Sequence, residues 1–402
     1  MSGLEIGVLG FVILLILLAV RIPIAVAMLT VGLVGYLIIA GPAALLSYLK
    51  GEMYWRFTTF DLSVVPLFVL MGNLANSSNL SRNLYDAAYA VVGHYKGGLA
   101  MSTVGACAGF GMICGSSIAT AATMSQMAGP EMRRHGYSDA LISGSIASGG
   151  TLGIIIPPSV ILVIYAYLTE QSVQELFFAA LIPGLIAVIL YMIAIRIYLL
   201  IYPSEGGHGT KMPFKERVSA ISKVFPIFLI FVIMMGGLYL GFFTATESAA
   251  VGVILVLIFI FFRGQLTLNL LKDAVWTSIK TVGSLYLIVI GASIFNYLIT
   301  VTQLPFAVVD FINQLQLTPL GIILVICAIY IVLGTVMDSL AMLFLTIPVF
   351  YPVIVDAGID PVWFGIFAVI VVEFGLISPP VSYTHLRAHE TDSYLVCRLL
   401  LE

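Results

Sequence analysis

Two pairs of segments bring oxygen-bearing and helix-breaking residues together inside apolar sequence. The first pair is Gly111-Met112-Ile113-Cys114-Gly115-Ser116-Ser117-Ile118-Ala119-Thr120 with Ser148-Gly149-Gly150-Thr151-Leu152-Gly153-Ile154-Ile155-Ile156-Pro157-Pro158-Ser159. The second is Gly334-Thr335-Val336-Met337-Asp338-Ser339 with Glu373-Phe374-Gly375-Leu376-Ile377-Ser378-Pro379-Pro380. Serine and threonine hydroxyls, together with backbone carbonyls released from a helix, are hard oxygen ligands of the kind a cation such as sodium takes. A prolyl pair donates no backbone hydrogen bond and drives the preceding residues out of the helix, so carbonyls around Gly150 to Ile156 are left to coordinate something. Asp338 adds a carboxylate, a costly group at membrane depth and a usual mark of an ion or substrate path. Plain structural readings stand beside these: small-residue helix packing for the first tip, and a helix N-cap for Asp338. Glu373, the counterpart of Thr151, either lines the cavity or pairs with a neighbouring subunit. A third candidate, Gly241-Phe242-Phe243-Thr244-Ala245-Thr246-Glu247-Ser248, reads equally as a helix start with an acidic first turn or as an ion site at Thr246.

The elements that must hold these residues are repeated. Residues 115 to 158 and 337 to 380 share punctuation at a constant offset of 222: Ser117 with Ser339, Ala119 with Ala341, Pro130 with Pro352, Gly136 with Gly358, Gly153 with Gly375, and Pro157-Pro158 with Pro379-Pro380. Unwound backbone survives in lipid only where it lines a protein cavity, so two copies of a broken element point to the binding site of a secondary transporter. The densest basic stretch, Lys211, Lys215, Arg217 and Lys223, is assigned to the cytoplasm by the positive-inside rule, and counting spans back from it puts Arg133-Arg134-His135 on the same side. The equivalent loop of the second copy, residues 355–360, is acidic and falls on the opposite side. The expectation is an all-α polytopic membrane protein with inverted repeats. Each repeat carries a re-entrant helical hairpin and a broken helix, and the two tips meet near the midplane.

Composition agrees. The 402 residues are 61% hydrophobic and 9% charged, outside the range of soluble chains. No basic stretch suits nucleic acid, and Cys107, Cys114, Cys327 and Cys397 are too scattered for a disulfide framework or metal cluster. The expected organisation is 1–60 as N-terminal scaffold helices, 61–170 as the first repeat with its tip at 115–117 and break at 150–158, and 171–281 as scaffold and connector helices with a cytoplasmic loop at 203–223. Residues 282–381 form the second repeat, with its tip at 334–339 and break at 375–380. The first apolar run reads as a retained helix rather than a signal peptide. Residues 54–57 and 264–281 read as interfacial helices.

These segments resemble the large membrane subunit of tripartite ATP-independent periplasmic (TRAP) transporters, the DctM-like group of the ion-transporter superfamily. The likeness rests on Gly115-Ser116-Ser117 with Ala119-Thr120-Ala121, Gly149-Gly150-Thr151-Leu152-Gly153 with Ile156-Pro157-Pro158-Ser159, Phe243-Thr244-Ala245-Thr246-Glu247, and Gly375-Leu376-Ile377-Ser378-Pro379-Pro380-Val381. The resemblance implies an elevator-type scaffold plus transport domain in a bacterial or archaeal cytoplasmic membrane. It implies sodium-coupled import of an organic acid such as a C4-dicarboxylate or sialic acid, with a small four-helix membrane subunit and a periplasmic solute-binding protein as partners. By that likeness sodium sits near Ser116, Ser117, Gly150, Gly153 and Pro157, near Asp338, Ser339, Gly375 and Ser378, and near Thr246. Substrate sits at Ser116, Ser117, Thr120, Asp338 and Ser339. No Lys or Arg occurs from 281 to 380, so a substrate carboxylate is expected to be held by helix N-termini, hydroxyls and cations.

Beyond Val381 the sequence departs from the family pattern. Residues 382–402 are polar and include His385 and His389, which reads as a frameshift or assembly junction rather than a metal site. An antiporter or carrier of the same superfamily working without a binding protein, or a passive channel, is the alternative within transport. An intramembrane hydrolase built on Gly115-Ser116-Ser117 and His135 is the alternative outside it. The absence of a Gly-x-x-x-x-Gly-Lys-Ser/Thr motif disfavours a primary pump.

Overall fold

A computed structural model describes residues 2–378 apart from Arg21, Asn79, His208, Thr210, Lys211 and Val336. The side chains of Glu52, Met53, Trp55, Arg56, Phe57 and Asp61 also lie outside the description. The second prolyl pair and the 382–402 tail therefore fall outside the described residues. Among those described, the chain is built of helices with no strand. Among the described residues six helices are long and apolar enough to cross a membrane, and the pair Asp139–Ile155 and Val160–Thr169, bent by 45°, passes the same test when its two halves are taken together. Apolar side chains on long helices such as Val173–Ile201 and Phe225–Tyr239 remain exposed, as expected where lipid rather than water is the solvent.

The chain divides into two compact units. One comprises Ser63–Val163 and Ser172–Ile279. Its centre is the hairpin of Gly98–Cys114 and Ser117–Arg134, and the helix Asp139–Ile155 packs on both arms. That packing is close because the helix turns glycines toward the hairpin. An added Cβ would sit 2.9 Å from Cys107 Sγ at Gly149 and 2.8 Å from Ala121 Cβ at Gly150. Small residues supply the van der Waals contact that holds helices together in a bilayer. At the basic end, Arg133 Nε donates to Asp139 Oδ1 at 2.7 Å, and Ser138 caps the helix by accepting from Leu141 N at 3.2 Å.

The other unit comprises the N-terminal residues through Leu62, Ile164–Gln171, and, among the described residues, the chain from Lys280 to Ser378. It holds the hairpin of Pro319–Gly334 and Ser339–Asp356, with Pro361–Ile377 packed on both arms. Tyr165 locks onto this assembly: its hydroxyl donates to Pro361 O at 2.6 Å, and its ring covers Gly365.

The repeat is explicit in the element bounds. Ser117–Arg134 and Ser339–Asp356 differ by 222 at both ends, as do Asp139–Ile155 and Pro361–Ile377. The glycines that turn each hairpin into its following helix, Gly136 and Gly358, both adopt left-handed φ, +75° and +69°.

Two features differ from the sequence expectation. The chain is helical without interruption from Leu268 to Val301, so the 264–281 stretch is the start of a long helix and not a separate interfacial one. A change from mixed to apolar composition does not end a helix when no proline intervenes. Conversely, Ile24–Thr58 is interrupted at Gly41, whose φ of 79° and ψ of 172° precede Pro42.

Candidate functional site

The first tip is made by two helix ends. Gly98–Cys114 closes on Gly115 in the left-handed conformation, φ +61°, with Gly115 N donating to Gly111 O at 2.9 Å. The chain then extends through Ser116, which starts Ser117–Arg134 by accepting from Ala119 N on its side-chain oxygen at 3.4 Å. Ser116 O accepts from Thr120 N at 3.1 Å and from Thr120 Oγ1 at 2.7 Å. Ser117 and Thr120 are buried.

The glycines of the facing helix bring it directly onto these oxygens. A Cβ on Gly153 would lie 2.6 Å from Thr120 Oγ1 and 2.8 Å from Ser116 O, and one on Gly150 would lie 3.2 Å from Ser117 O. Across the break, Gly115 faces Pro158 O, which an added Cβ would meet at 2.9 Å. Pro157 and Pro158 are buried in the gap between Asp139–Ile155 and Val160–Thr169, and the peptide joining them is cis. The structure therefore gathers Ser116, Ser117, Thr120, Gly150 and Gly153 into one oxygen-rich seam without a side-chain charge, while at the break it is Pro158, next to Pro157, whose carbonyl faces the tip. Thr151 faces elsewhere, its hydroxyl donating to Ser148 O at 2.7 Å and meeting the Tyr191 hydroxyl at 3.2 Å. Tyr191 was not singled out in the sequence; its only signal was a phenol in an aliphatic helix.

The second tip has the same plan with different contents. Gly334 lies against Gly375, an added Cβ falling 2.7 Å from the Gly375 Cα, much as one on Gly111 would fall 2.5 Å from the Gly153 Cα. Asp338 takes the N-cap position of Ser339–Asp356 with extended backbone, its carboxylate facing the N–H groups of Leu340 and Ala341 without closing a capping bond. Ser339 Oγ donates to Glu373 Oε1 at 2.6 Å, and both residues are buried. Glu373 thus faces the tip. Ser378 ends the helix, its hydroxyl donating to Phe374 O at 2.9 Å and its N–H to Gly375 O at 3.2 Å.

Thr246 lies half-buried in the first turn of Ala245–Phe262. The helix start there is a reciprocal box between Thr244 and Glu247, with Thr244 N donating to Glu247 Oε2 at 2.8 Å and Glu247 N to Thr244 Oγ1 at 3.3 Å. His135 ends the arm that Ser116 begins, roughly 28 Å away at 1.5 Å per residue. That distance rules out a nucleophile and base pair, and His135 Nδ1 instead meets Glu131 O at 2.9 Å.

Residues 11–390 match the family described as "Tripartite ATP-independent periplasmic transporter, DctM component", a match that runs past Val381. The C4-dicarboxylate TRAP transporter large permease protein DctM of Pseudomonas aeruginosa is 34% identical over 80% of this chain and 75% of its own length. The sialic acid TRAP transporter large permease protein SiaM of Vibrio cholerae is 31% identical over 91% of this chain and 85% of its own. The ectoine TRAP transporter large permease protein TeaC of Halomonas elongata is 30% identical over 90% and 85%. In fold, the chain is similar to the YdaH transporter of Alcanivorax borkumensis, with a TM-score of 0.57 and 14% identity over 90% of this chain and 85% of that one.

Proposed function

Because the chain belongs to the DctM component family of tripartite ATP-independent periplasmic transporters, a family of permeases and not of enzymes, we propose that it couples sodium entry to the import of a small organic acid in the bacterial inner membrane. The observation that carries this reading is the first seam, where glycines of a broken helix meet the carbonyl and hydroxyl oxygens of a hairpin tip. Such a seam suits a desolvated monovalent cation, which asks for several neutral oxygens and little charge. The second seam adds Asp338, Ser339 and Glu373, with Gly375 and Ser378 at the helix end. Sodium at Ser116, Ser117, Gly150, Gly153 and Pro157, at Asp338, Ser339, Gly375 and Ser378, and at Thr246 is the assignment under test.

The cargo is a carboxylate in this reading. Dicarboxylates, sialic acid and ectoine, named for three relatives, all carry that group. The absence of Lys and Arg from 281–380 leaves helix N-termini, the hydroxyls of Ser116, Ser117, Thr120 and Ser339, and bound cations to meet it. Filling the site with cations and substrate together favours a closed, neutralised state over a charged open one, which is the differential affinity that an elevator movement needs. A small membrane subunit and a periplasmic binding protein complete the system in this reading.

Uptake of radiolabelled organic acids into proteoliposomes holding this chain and its small partner tests the reading. Import that needs both an inward sodium gradient and the binding protein supports it. Import indifferent to both would replace it with a carrier that works alone.

A further inference from the structure

In the unit containing the first hairpin, the connection between Leu80–Val92 and Gly98–Cys114 and the end of Val173–Ile201 border an open cavity of about 480 Å³. His94, Tyr95 and Lys96 line it from the connection, and Arg196, Leu199 and Leu200 from the helix. Arg196 Nη1 donates to the Lys96 carbonyl at 3.4 Å, which brings the guanidinium to the lysine backbone and sets two permanent cations on one cavity. No carboxylate is among the described lining residues. Glu205, just beyond the helix, is already occupied: it accepts from the Tyr198 hydroxyl and from Ser138 Oγ. Unbalanced cations against an apolar wall call for an anion.

The surroundings identify the kind of anion. Tyr95 and Tyr202 are exposed, and their rings pair with His94 and Tyr198 at centroid distances of 4.0 and 5.1 Å. Tyrosines gathered at one level of an apolar bundle mark the headgroup depth of a bilayer. From that level Ile193, Ile197 and Leu200 present an exposed aliphatic strip along Val173–Ile201. A ligand that fits both parts has a phosphate at one end and hydrocarbon at the other.

We propose that this cavity binds the phosphate of an anionic glycerophospholipid, Lys96 and Arg196 meeting the headgroup while an acyl chain follows Ile193, Ile197 and Leu200. Basic pockets between membrane helices on the positively charged side hold lipid headgroups in this way. The inference stands apart from the transport reading, since neither cation belongs to the two seams.

Native mass spectrometry of the full chain, delipidated and then exposed to phosphatidylglycerol or phosphatidylcholine, tests it. The wild type should retain phosphatidylglycerol preferentially. Lys96→Gln with Arg196→Gln should lower that preference about 30-fold, a factor of about five per cation. Lys96→Arg with Arg196→Lys should preserve it, which separates charge from misfolding. Arg133→Gln with Arg134→Gln, whose parent arginines already face Asp139 and Glu131, should match the wild type. An unchanged preference in the glutamine pair overturns the proposal. So does inorganic phosphate binding as tightly as the lipid, which assigns the cavity to a free anion. Photocrosslinking from position 95 to the small membrane subunit, with no lipid retained, also overturns it by giving the cavity to a protein partner.

Discussion

Replacing Gly153 with alanine probes the first seam at its tightest point. The new Cβ would meet Thr120 Oγ1 at 2.6 Å, Ser116 O at 2.8 Å and Ser116 C at 3.2 Å, all inside the contact distance of about 3.5–4.0 Å. Two of those atoms are backbone, held by the bonds from Thr120 to Ser116 O, so the hairpin cannot yield by rotating a side chain. Overpacking of this kind costs about 1–3 kcal/mol. Alanine is the better helix former and returns about 0.5–1 kcal/mol of it. The net expectation is a loss of about 0.5–2 kcal/mol, roughly 2- to 30-fold in the population of the packed seam. Gly144 lies in the same helix with nothing within 4 Å of an added Cβ, so Gly144→Ala keeps the helix gain without the clash. Thermal unfolding of both purified variants, with organic-acid uptake beside it, compares them. Gly153→Ala should melt below the wild type and import poorly, while Gly144→Ala melts at or above it and imports normally. Adding Thr120→Ala to Gly153→Ala removes the 2.6 Å contact but not the Ser116 backbone, and should recover stability only in part. Should Gly153→Ala melt and transport like Gly144→Ala, the seam is not closed as described and the argument fails.

The second seam and the basic end give further expectations. Ser339→Ala and Glu373→Ala should show a coupling of about 0.5–1.5 kcal/mol in a double-mutant cycle on thermal stability, the scale of one buried hydrogen bond; additive effects would deny the 2.6 Å bond its role. The hydroxyls of Tyr198 and Ser138 hold the Glu205 carboxyl below the usual carboxylate range. Its contribution is therefore complete above the unfolded value of about 4.3 and disappears as pH falls through the lower folded value. Between pH 7 and 3 the wild-type melting temperature should fall more steeply below about pH 4 than that of Tyr198→Phe; parallel curves would contradict this.

Much of the repeated architecture could be read in advance because glycine and proline act locally. Gly136 and Gly358 turn the chain whatever surrounds them, and Ser138 caps a helix by a bond three residues long. Contacts that depend on how two helices meet were not readable. Thr151 and Glu373 share a register position, yet one bonds toward Tyr191 and the other to Ser339, and nothing within either helix dictates that choice. In the 244–247 segment the spacing rule for a capping box points to Thr244, three residues before Glu247, and the structure follows it, while the sequence reading weighed Thr246 evenly between a helix start and an ion site. The uninterrupted helix from Leu268 shows the opposite limit, since a polarity boundary carries no backbone signal.

The two seams share a geometry but not an electrical content. The copy around Gly153 offers only neutral oxygens, whereas the copy around Gly375 holds the carboxylates of Asp338 and Glu373. A monovalent cation entering the second would meet carboxyl oxygens already in place. One entering the first brings a charge that the chain itself does not balance, and in a medium of low dielectric such an excess favours an arriving anion. A duplicated segment that began with equal halves would in this way have become a polarised pair, one half carrying acidic side chains and the other only neutral oxygens.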